Sequence, residues 1–126
     1  MPSSFDYAVI RVVPRVDREE FINAGVILFC KEQRFLQARI ALSPARIRAL
    51  WAESDLDLIE LHLAAFARIC NANPEAGPIA QLPQAERFHW LVSPRSTTVQ
   101  VSAVHTGLCQ EPETTLERLF QQLVAH

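Results

Sequence analysis

Three segments near the amino terminus have the apolar pattern of β-strands, and polar segments separate them. Residues 6–13 and 22–30 carry apolar side chains on both faces, as expected of strands that are covered on two sides. Residues 35–42 alternate more cleanly and predict a partner strand with one wetter face. The inward residues of that third strand are Leu36, Ala38, Ile40 and Leu42. The pattern therefore predicts three consecutive antiparallel strands.

Gly25 lies inside the second predicted strand, where glycine costs roughly 0.5–1 kcal/mol relative to alanine. Its position there predicts a β-bulge or the close approach of another backbone. A fourth strand is predicted at residues 97–104, where Val99 and Val101 alternate with polar residues, and residues 105–107 break that strand.

Helical signals occupy the middle and the end of the chain. A Ser-Pro pair at residues 43–44 opens one helix, and Ser54 caps a second, which ends near Asn71. Residues 83–92 hold one or two further helical turns, and Pro112 starts the last helix. The predicted buried stripes are Leu56, Ile59, Leu63, Phe66 and Cys70 in the second helix, and Leu116, Leu119, Phe120, Leu123 and Val124 in the last.

The order of these elements predicts an α+β fold in a single domain spanning residues 1–126. We expect a small antiparallel sheet of about four strands with helices packed on one face. Two strands are apolar on both faces, yet few helices are predicted to cover a sheet twice. Leftover apolar surface usually marks an interface, and the commonest solution is a twofold pair, so we expect a homodimer.

Composition narrows the classes of protein to consider. The chain has 126 residues, 49% of them apolar, and a net charge of −2, which argues against a general nucleic-acid binder. The three cysteines, Cys30, Cys70 and Cys109, are far apart and odd in number, as expected of free thiols in a reducing compartment. The longest apolar run is too short to cross a bilayer, and no leader peptide is evident. We expect a soluble cytoplasmic protein that does not bind a membrane.

The motifs that usually reveal an enzyme or a cofactor site do not occur. With glycines only at positions 25, 77 and 107, the chain has no Gly-rich phosphate loop. Its scattered cysteines and histidines do not have the spacing of a metal site. We therefore predict no cofactor and no metal, and assign no catalytic residue.

Six polar residues form the candidate site. Arg11 and Arg15 are four positions apart, so a strand would place both on one side, and Asn23 lies on the next strand. The others flank the last predicted strand: Arg95, Ser96 and His105. If that strand pairs beside the first, the six converge at one end of the sheet. Guanidinium groups there would suit the two oxygens of a phosphate or carboxylate, for example in a phosphopeptide.

Two alternatives to an anion site remain open. The arginines could instead be structural, with Arg11 or Arg15 paired to Asp6, Asp17 or Glu20 and with Arg95 closing a turn. An enzyme acting on a phosphate-bearing substrate would need a nucleophile and a base. The candidate pairing is Ser96 or Ser102 with His105, oriented by Glu20.

Four segments of the chain resemble one known family. Residues 7–14 and 20–28 read Tyr-Ala-Val-Ile-Arg-Val-Val-Pro and Glu-Phe-Ile-Asn-Ala-Gly-Val-Ile-Leu. Residues 90–96 and 100–107 read Trp-Leu-Val-Ser-Pro-Arg-Ser and Gln-Val-Ser-Ala-Val-His-Thr-Gly, with Ala103 where the family commonly has proline. These segments resemble the bacterial family of domain of unknown function 3037. The resemblance implies no activity, but it does suggest a HipA-type kinase as a protein partner.

The leading interpretation is a small binding or accessory domain that acts through a protein partner or as a homodimer. The alternative is the phosphate-directed enzyme with an Arg/His/Ser site.

Overall fold

The central layer of the protein is an antiparallel sheet, which a computed structural model describes together with the rest of residues 1–125. Its order is β3-β2-β1-β4, and β5 also pairs with β1. The three predicted amino-terminal strands are confirmed. The strands are β1 (Ser3–Val12), β2 (Ile22–Cys30), β3 (Phe35–Ile40), β4 (Val99–Val101) and β5 (His105–Cys109).

The last predicted strand, at residues 97–104, is shorter than expected, and a fifth strand that was not predicted follows it. Strand β4 pairs with the end of β1, and β5 pairs with its beginning, so residues 105–107 start a strand instead of breaking one. The reason lies at Ser102, whose backbone N–H donates to Val9 O at 2.9 Å. The Ser102 Oγ accepts from the Val9 N–H at 2.8 Å. Since Ser102 satisfies both polar groups of Val9, the chain bends out after β4 and rejoins the same edge as β5.

Gly25 has both of the predicted features. The register between β1 and β2 shifts at Arg11, immediately after the Ile10–Gly25 pair, which is a β-bulge. A Cβ at Gly25 would also lie 2.8 Å from the backbone oxygen of Arg39. The bulge matters for the site because it sets which residue of β2 faces Arg11.

Four helices cover the sheet. They are α1 (Pro44–Leu50), α2 (Leu56–Cys70), α3 (Gln84–Leu91) and α4 (Pro112–Leu123). The α+β class is confirmed, but the helices do not all lie on one face. Ile27 and Phe29 of β2 pack in the cluster that contains α2 and α3. Leu28 of the same strand packs in the cluster with Leu116 of α4. A strand that is apolar on both faces needs two covers, and α4 supplies the second.

The predicted starts of α1 and α4 are confirmed, and the N-cap of α2 lies one residue later than predicted. Ser43 occupies the N-cap position of α1 without a side-chain capping bond, and Pro44 and Pro112 each begin a helix as predicted. The N-cap of α2 is Asp55, not Ser54 as predicted, because the Asp55 carboxylate accepts from the Leu58 N–H at 3.1 Å. The Ser54 hydroxyl instead donates to Trp51 O at 2.7 Å. Both predicted apolar stripes are confirmed in the core.

Arg87 is a buried cation that the sequence pattern did not single out. It is 7% exposed, and its guanidinium donates to three backbone oxygens. Its Nη1 reaches Ile69 O at 2.9 Å and Cys70 O at 2.8 Å, and its Nε reaches Leu82 O at 2.8 Å. Arg87 therefore satisfies carbonyls at the carboxyl end of α2 and ties α2 to α3.

The three cysteines are free and buried, as predicted. Burial raises the pKa of the Cys70 thiol from its ordinary 9.0 to about 12. Within residues 1–125, no helix combines the length and the apolar character that a membrane crossing requires.

Candidate anion-binding site

A cavity of about 370 Å³ opens where β1 meets β4, on the α4 side of the sheet. Arg11 of β1 and Gln100 of β4 are direct partners in the ladder and both line it. The remaining lining residues are Val13, Val16, Glu19, Phe21 and Ser96. Two of the predicted residues, Arg11 and Ser96, therefore share one cavity.

Arg11 is a partly buried cation that lacks an acidic partner. Its guanidinium carbon lies 4.1 Å from the centre of the Phe21 ring, a cation–π contact. Its Nε is buried and has no hydrogen-bond partner among the described residues. None of the ion pairs in that part of the chain includes Arg11. A buried donor of this kind costs free energy unless something accepts its proton.

Asn23 lies directly opposite Arg11 across the β1–β2 ladder, because the bulge at Gly25 shifts the register. Its Nδ2 donates to Leu123 O at the end of α4, at 3.1 Å. Its Oδ1 is buried and has no partner. Over residues 1–125, the Arg11 Nε and the Asn23 Oδ1 are the two buried side-chain polar atoms without a hydrogen-bond partner. One unpaired donor and one unpaired acceptor therefore lie on residues that face each other across two strands.

The loop between β1 and β2 places a carboxylate at the cavity. Glu19 lines the cavity, has a left-handed backbone (φ 58°) and is exposed. Its oxygens lie farther than 4 Å from the basic groups described in the structure, including that of Arg11. Glu19 therefore adds a negative charge to the cavity without forming an ion pair with Arg11.

Arg15 lies outside the cavity because Pro14 ends the strand and the chain then turns. Its Nη2 pairs with the Asp17 carboxylate at 2.9 Å in the exposed loop. Arg18 and Glu20 form a similar pair at 2.6 Å. The hydrogen bond from Arg15 lowers the pKa of Asp17, and that from Arg18 lowers the pKa of Glu20. The structural alternative therefore describes Arg15 well.

Arg95 faces the opposite side of the sheet edge. Residues 95–100 alternate, so Ser96 and Gln100 line the Arg11 cavity while Arg95 and Val99 line a groove against α2 and α3. The Arg95 Nη2 donates to Trp90 O at 2.8 Å and to Leu91 O at 3.3 Å. These bonds close the end of α3, which is the turn-closing role considered in the sequence.

His105 lies four residues along β1 from the cavity. It pairs with Tyr7 in the β1–β5 ladder, and their ring centres are 5.2 Å apart. Four strand residues span roughly 13 Å, which is too far for His105 and Arg11 to hold one small anion. Ser102 is occupied by Val9 and by Ala103 O, to which its Oγ donates at 2.9 Å. No hydrogen bond joins His105 to Ser96 or Ser102 in the described residues.

Five residues that line this cavity were not among the predicted site residues, and the three that bear a charged, aromatic or amide side chain are Glu19, Phe21 and Gln100. The alternation of β4 indicated that Gln100 faces the same side as its neighbours Thr98 and Ser102, but not which residue of β1 it meets. That register depends on Ser102 and on the edge position of β4. Phe21 immediately precedes β2, and a single aromatic residue at such a position gives no signal of a cation partner.

Comparison with known proteins identifies the family and nothing further. The family model described as "Protein of unknown function (DUF3037)" matches residues 7–124, which is almost the whole chain. The chain belongs to this family. Neither the curated proteins nor the solved structures contain a match.

Proposed function

Since membership of this family brings no activity with it, we propose that the domain is a binding module whose Arg11 cavity receives an anionic group of a protein partner. The group would be a phosphate or a carboxylate. Its oxygens would accept from the Arg11 guanidinium, and Ser96 and Gln100 are placed beside it as further donors.

The single observation that carries the proposal is the pair of unsatisfied buried atoms on Arg11 and Asn23. Buried polar groups are nearly always hydrogen-bonded, and exceptions concentrate where a ligand or an ordered water completes the set. Arg11 also has no carboxylate partner in the described residues, which further supports the proposal. In the described residues, the other two arginines that lie over aromatic rings have protein partners: Arg39 pairs with the Glu117 carboxylate, and one nitrogen of Arg95 donates to two carbonyls.

An enzyme acting on a phosphate-bearing substrate is supported less well. That chemistry needs a base within hydrogen-bond reach of a nucleophile. His105 packs on Tyr7, and the Ser102 hydroxyl is engaged with the backbone. A binding role requires only the groups that already line the Arg11 cavity.

The direct test is a set of thermal melts with inorganic phosphate, a phosphoserine peptide or an acetylated aspartate peptide. A ligand that binds only the folded state stabilises it by about 2.7 kcal/mol at a hundredfold excess over its Kd. We expect at least one probe to raise the melting temperature of the wild type, and the gain to vanish in Arg11→Gln. The matched control is Arg39→Gln, which removes a guanidinium from the Phe120 ring and from Glu117 but lies outside the cavity.

Glu19 provides a test of whether the ligand of the cavity is negatively charged. Glu19→Gln removes a negative charge from the cavity and leaves a similar side chain, so anion affinity should rise severalfold. If Arg11→Gln lowers the melting temperature without any probe effect in the wild type, the guanidinium is structural and an internal water completes its bonding.

The identity of the partner stays a prediction. A HipA-type kinase, suggested by the family resemblance, is the first protein to test by pull-down. The second proposed partner is another copy of this chain, which would cover exposed apolar surface of the domain. One exposed residue favours this pairing. Leu108 of edge strand β5 is 70% exposed, although leucine is usually buried in a strand.

A further inference from the structure

A second cavity, of about 260 Å³, lies on the opposite side of the sheet edge between α2, α3 and β4. Its walls are mostly apolar, with Phe66 and Ile69 from α2, Leu91 from α3 and Val99 from β4. Trp90 forms part of the rim and is 43% exposed. The remaining lining residues are His62, Ala65, Arg95 and Thr97.

Arg95 gives this apolar cavity a single fixed cation. Its guanidinium carbon lies 5.1 Å from the centre of the Trp90 ring and 5.7 Å from that of Phe66. Its Nη2 holds the two carbonyls of α3, and the structure gives its Nε and Nη1 no partner among residues 1–125. No carboxylate described in the structure lies within 4 Å of it. Partial burial lowers the Arg95 pKa, which reflects the cost of desolvating this unpaired charge.

We propose that this cavity binds a small apolar carboxylate: an aromatic or branched aliphatic group with one carboxylate beside it. The apolar part would fill the space between Phe66, Leu91 and Val99. The carboxylate would accept from the free nitrogens of Arg95, which suit two oxygens in one plane. A volume of about 260 Å³ equals that of roughly nine water molecules, which fits one ring with a short acid chain.

This site is independent of the Arg11 cavity, because β4 separates the two and no lining residue is shared. Among the described residues, the only other ionisable group lining it is His62, which is exposed on α2.

Trp90 supplies the readout. The chain has two tryptophans, and Trp51 lies outside this cavity, so the Trp51→Phe background leaves Trp90 as the only indole. The probe is 3-phenylpropionate, and its uncharged amide is the matched control. A peptide ending in phenylalanine with a free carboxylate tests whether the same chemistry enters as a chain terminus.

We expect 3-phenylpropionate to change Trp90 fluorescence saturably and to bind about tenfold more tightly than the amide, as a charge-assisted pair predicts. Arg95→Met should remove the difference between acid and amide. Ala65→Phe, which fills the cavity from α2 and leaves Arg95 in place, should abolish binding of both. Because Arg95 also closes α3, Ala65→Phe keeps the test decisive if Arg95→Met folds poorly.

Three results would overturn the proposal: no saturable change with the acid, equal affinity for acid and amide, or unaltered binding in Ala65→Phe. Tighter binding of the free acid than of the peptide would assign the site to a small metabolite. The reverse order would assign it to a carboxyl-terminal segment. Both orders support the carboxylate chemistry.

Discussion

Three arginines show different ways of offsetting the cost of a buried or partly buried guanidinium. Arg87 is fully enclosed and donates to three backbone oxygens. Arg95 is satisfied in part, with two carbonyls at one nitrogen and aromatic rings beside it. Among the described residues, Arg11 has an aromatic contact but no hydrogen-bond partner for its buried Nε. The degree to which the protein itself satisfies each cation separates a structural arginine from a candidate binding residue.

Arg87→Met should destabilise the fold strongly, because three carbonyls would lose their donor while the apolar volume is roughly kept. We expect a loss of about 3 kcal/mol, the range seen when one partner of a buried charged network is removed. Urea denaturation measures it. The control is Arg68→Met in the exposed last turn of α2, which should cost less than about 1 kcal/mol. Equal losses in the two variants would show that Arg87 has no special structural role.

Cys70 should resist alkylation in the folded protein, because the thiolate is the reactive form and burial raises the pKa to about 12. Between pH 9 and 12 the unfolded thiol is deprotonated first, so Cys70 favours unfolding as pH rises through that window. Below pH 9 both states hold the proton and the contribution to stability is unchanged. Mass spectrometry after brief alkylation at neutral pH checks this: rapid labelling of Cys70 without unfolding would contradict it.

At the scale of elements, the edge formed by β4 and β5 depends on one hydroxyl. Ser102 hydrogen-bonds both the backbone N–H and the backbone carbonyl of Val9 in β1. It does so at the bend between β4 and β5. The same edge positions Gln100 opposite Arg11. The geometry of the candidate site is therefore linked to the way in which a broken strand is held to the sheet.

Ser102→Ala should leave the buried Val9 N–H without its acceptor and cost about 1–3 kcal/mol in urea denaturation. Ser93→Ala is the control, because that hydroxyl donates to His89 O at an exposed helix end. We expect the control to stay within about 0.5 kcal/mol of wild type. A Ser102→Ala protein as stable as the control would mean that the hydroxyl does not hold the edge.

The sequence predicted most individual strands and helices well, but it did not predict which residues of neighbouring strands face each other. Strand and helix periods located three strands and the apolar stripes of α2 and α4, because these are local patterns. The register at Arg11 could not be predicted, since it depends on the bulge at Gly25 and on the bend at Ser102. Of the six candidate residues, only Arg11, Ser96 and the neighbouring Asn23 come together. The turn after Pro14, the alternation of residues 95–100 and the pairing of β5 with the start of β1 separate the other three.

For the whole molecule, α4 removes one reason to expect a homodimer. The sequence predicts too few helices to cover both faces of the sheet, but α4 covers the second face. The surviving reason is the outer edge of β5, where Leu108 is 70% exposed and no described strand pairs on that side. An exposed apolar edge strand is a template for pairing with a strand of another chain.

Light scattering at high concentration should therefore give twice the chain mass of 14.2 kDa. Leu108→Lys should return it to a single chain mass, because a lysine on an edge strand opposes pairing. The companion variant is Thr106→Lys, which places the same charge on the same strand, two residues before Leu108. A wild-type mass of 14.2 kDa at every concentration would rule out the homodimer.

If the domain is a binding module as proposed, the Arg11 guanidinium binds an anion from outside the domain. The most direct measurement is the NMR signal of the Arg11 Nε–H during titration with inorganic phosphate and with a phosphoserine peptide. The internal reference is the Arg39 Nε–H, which already donates to Glu117 at 3.0 Å. Anion binding at Arg11 predicts a saturable shift of the Arg11 signal and slower hydrogen exchange, with the Arg39 signal unchanged. An Arg11 signal that stays fixed with every probe, or that moves no more than that of Arg39, would contradict it.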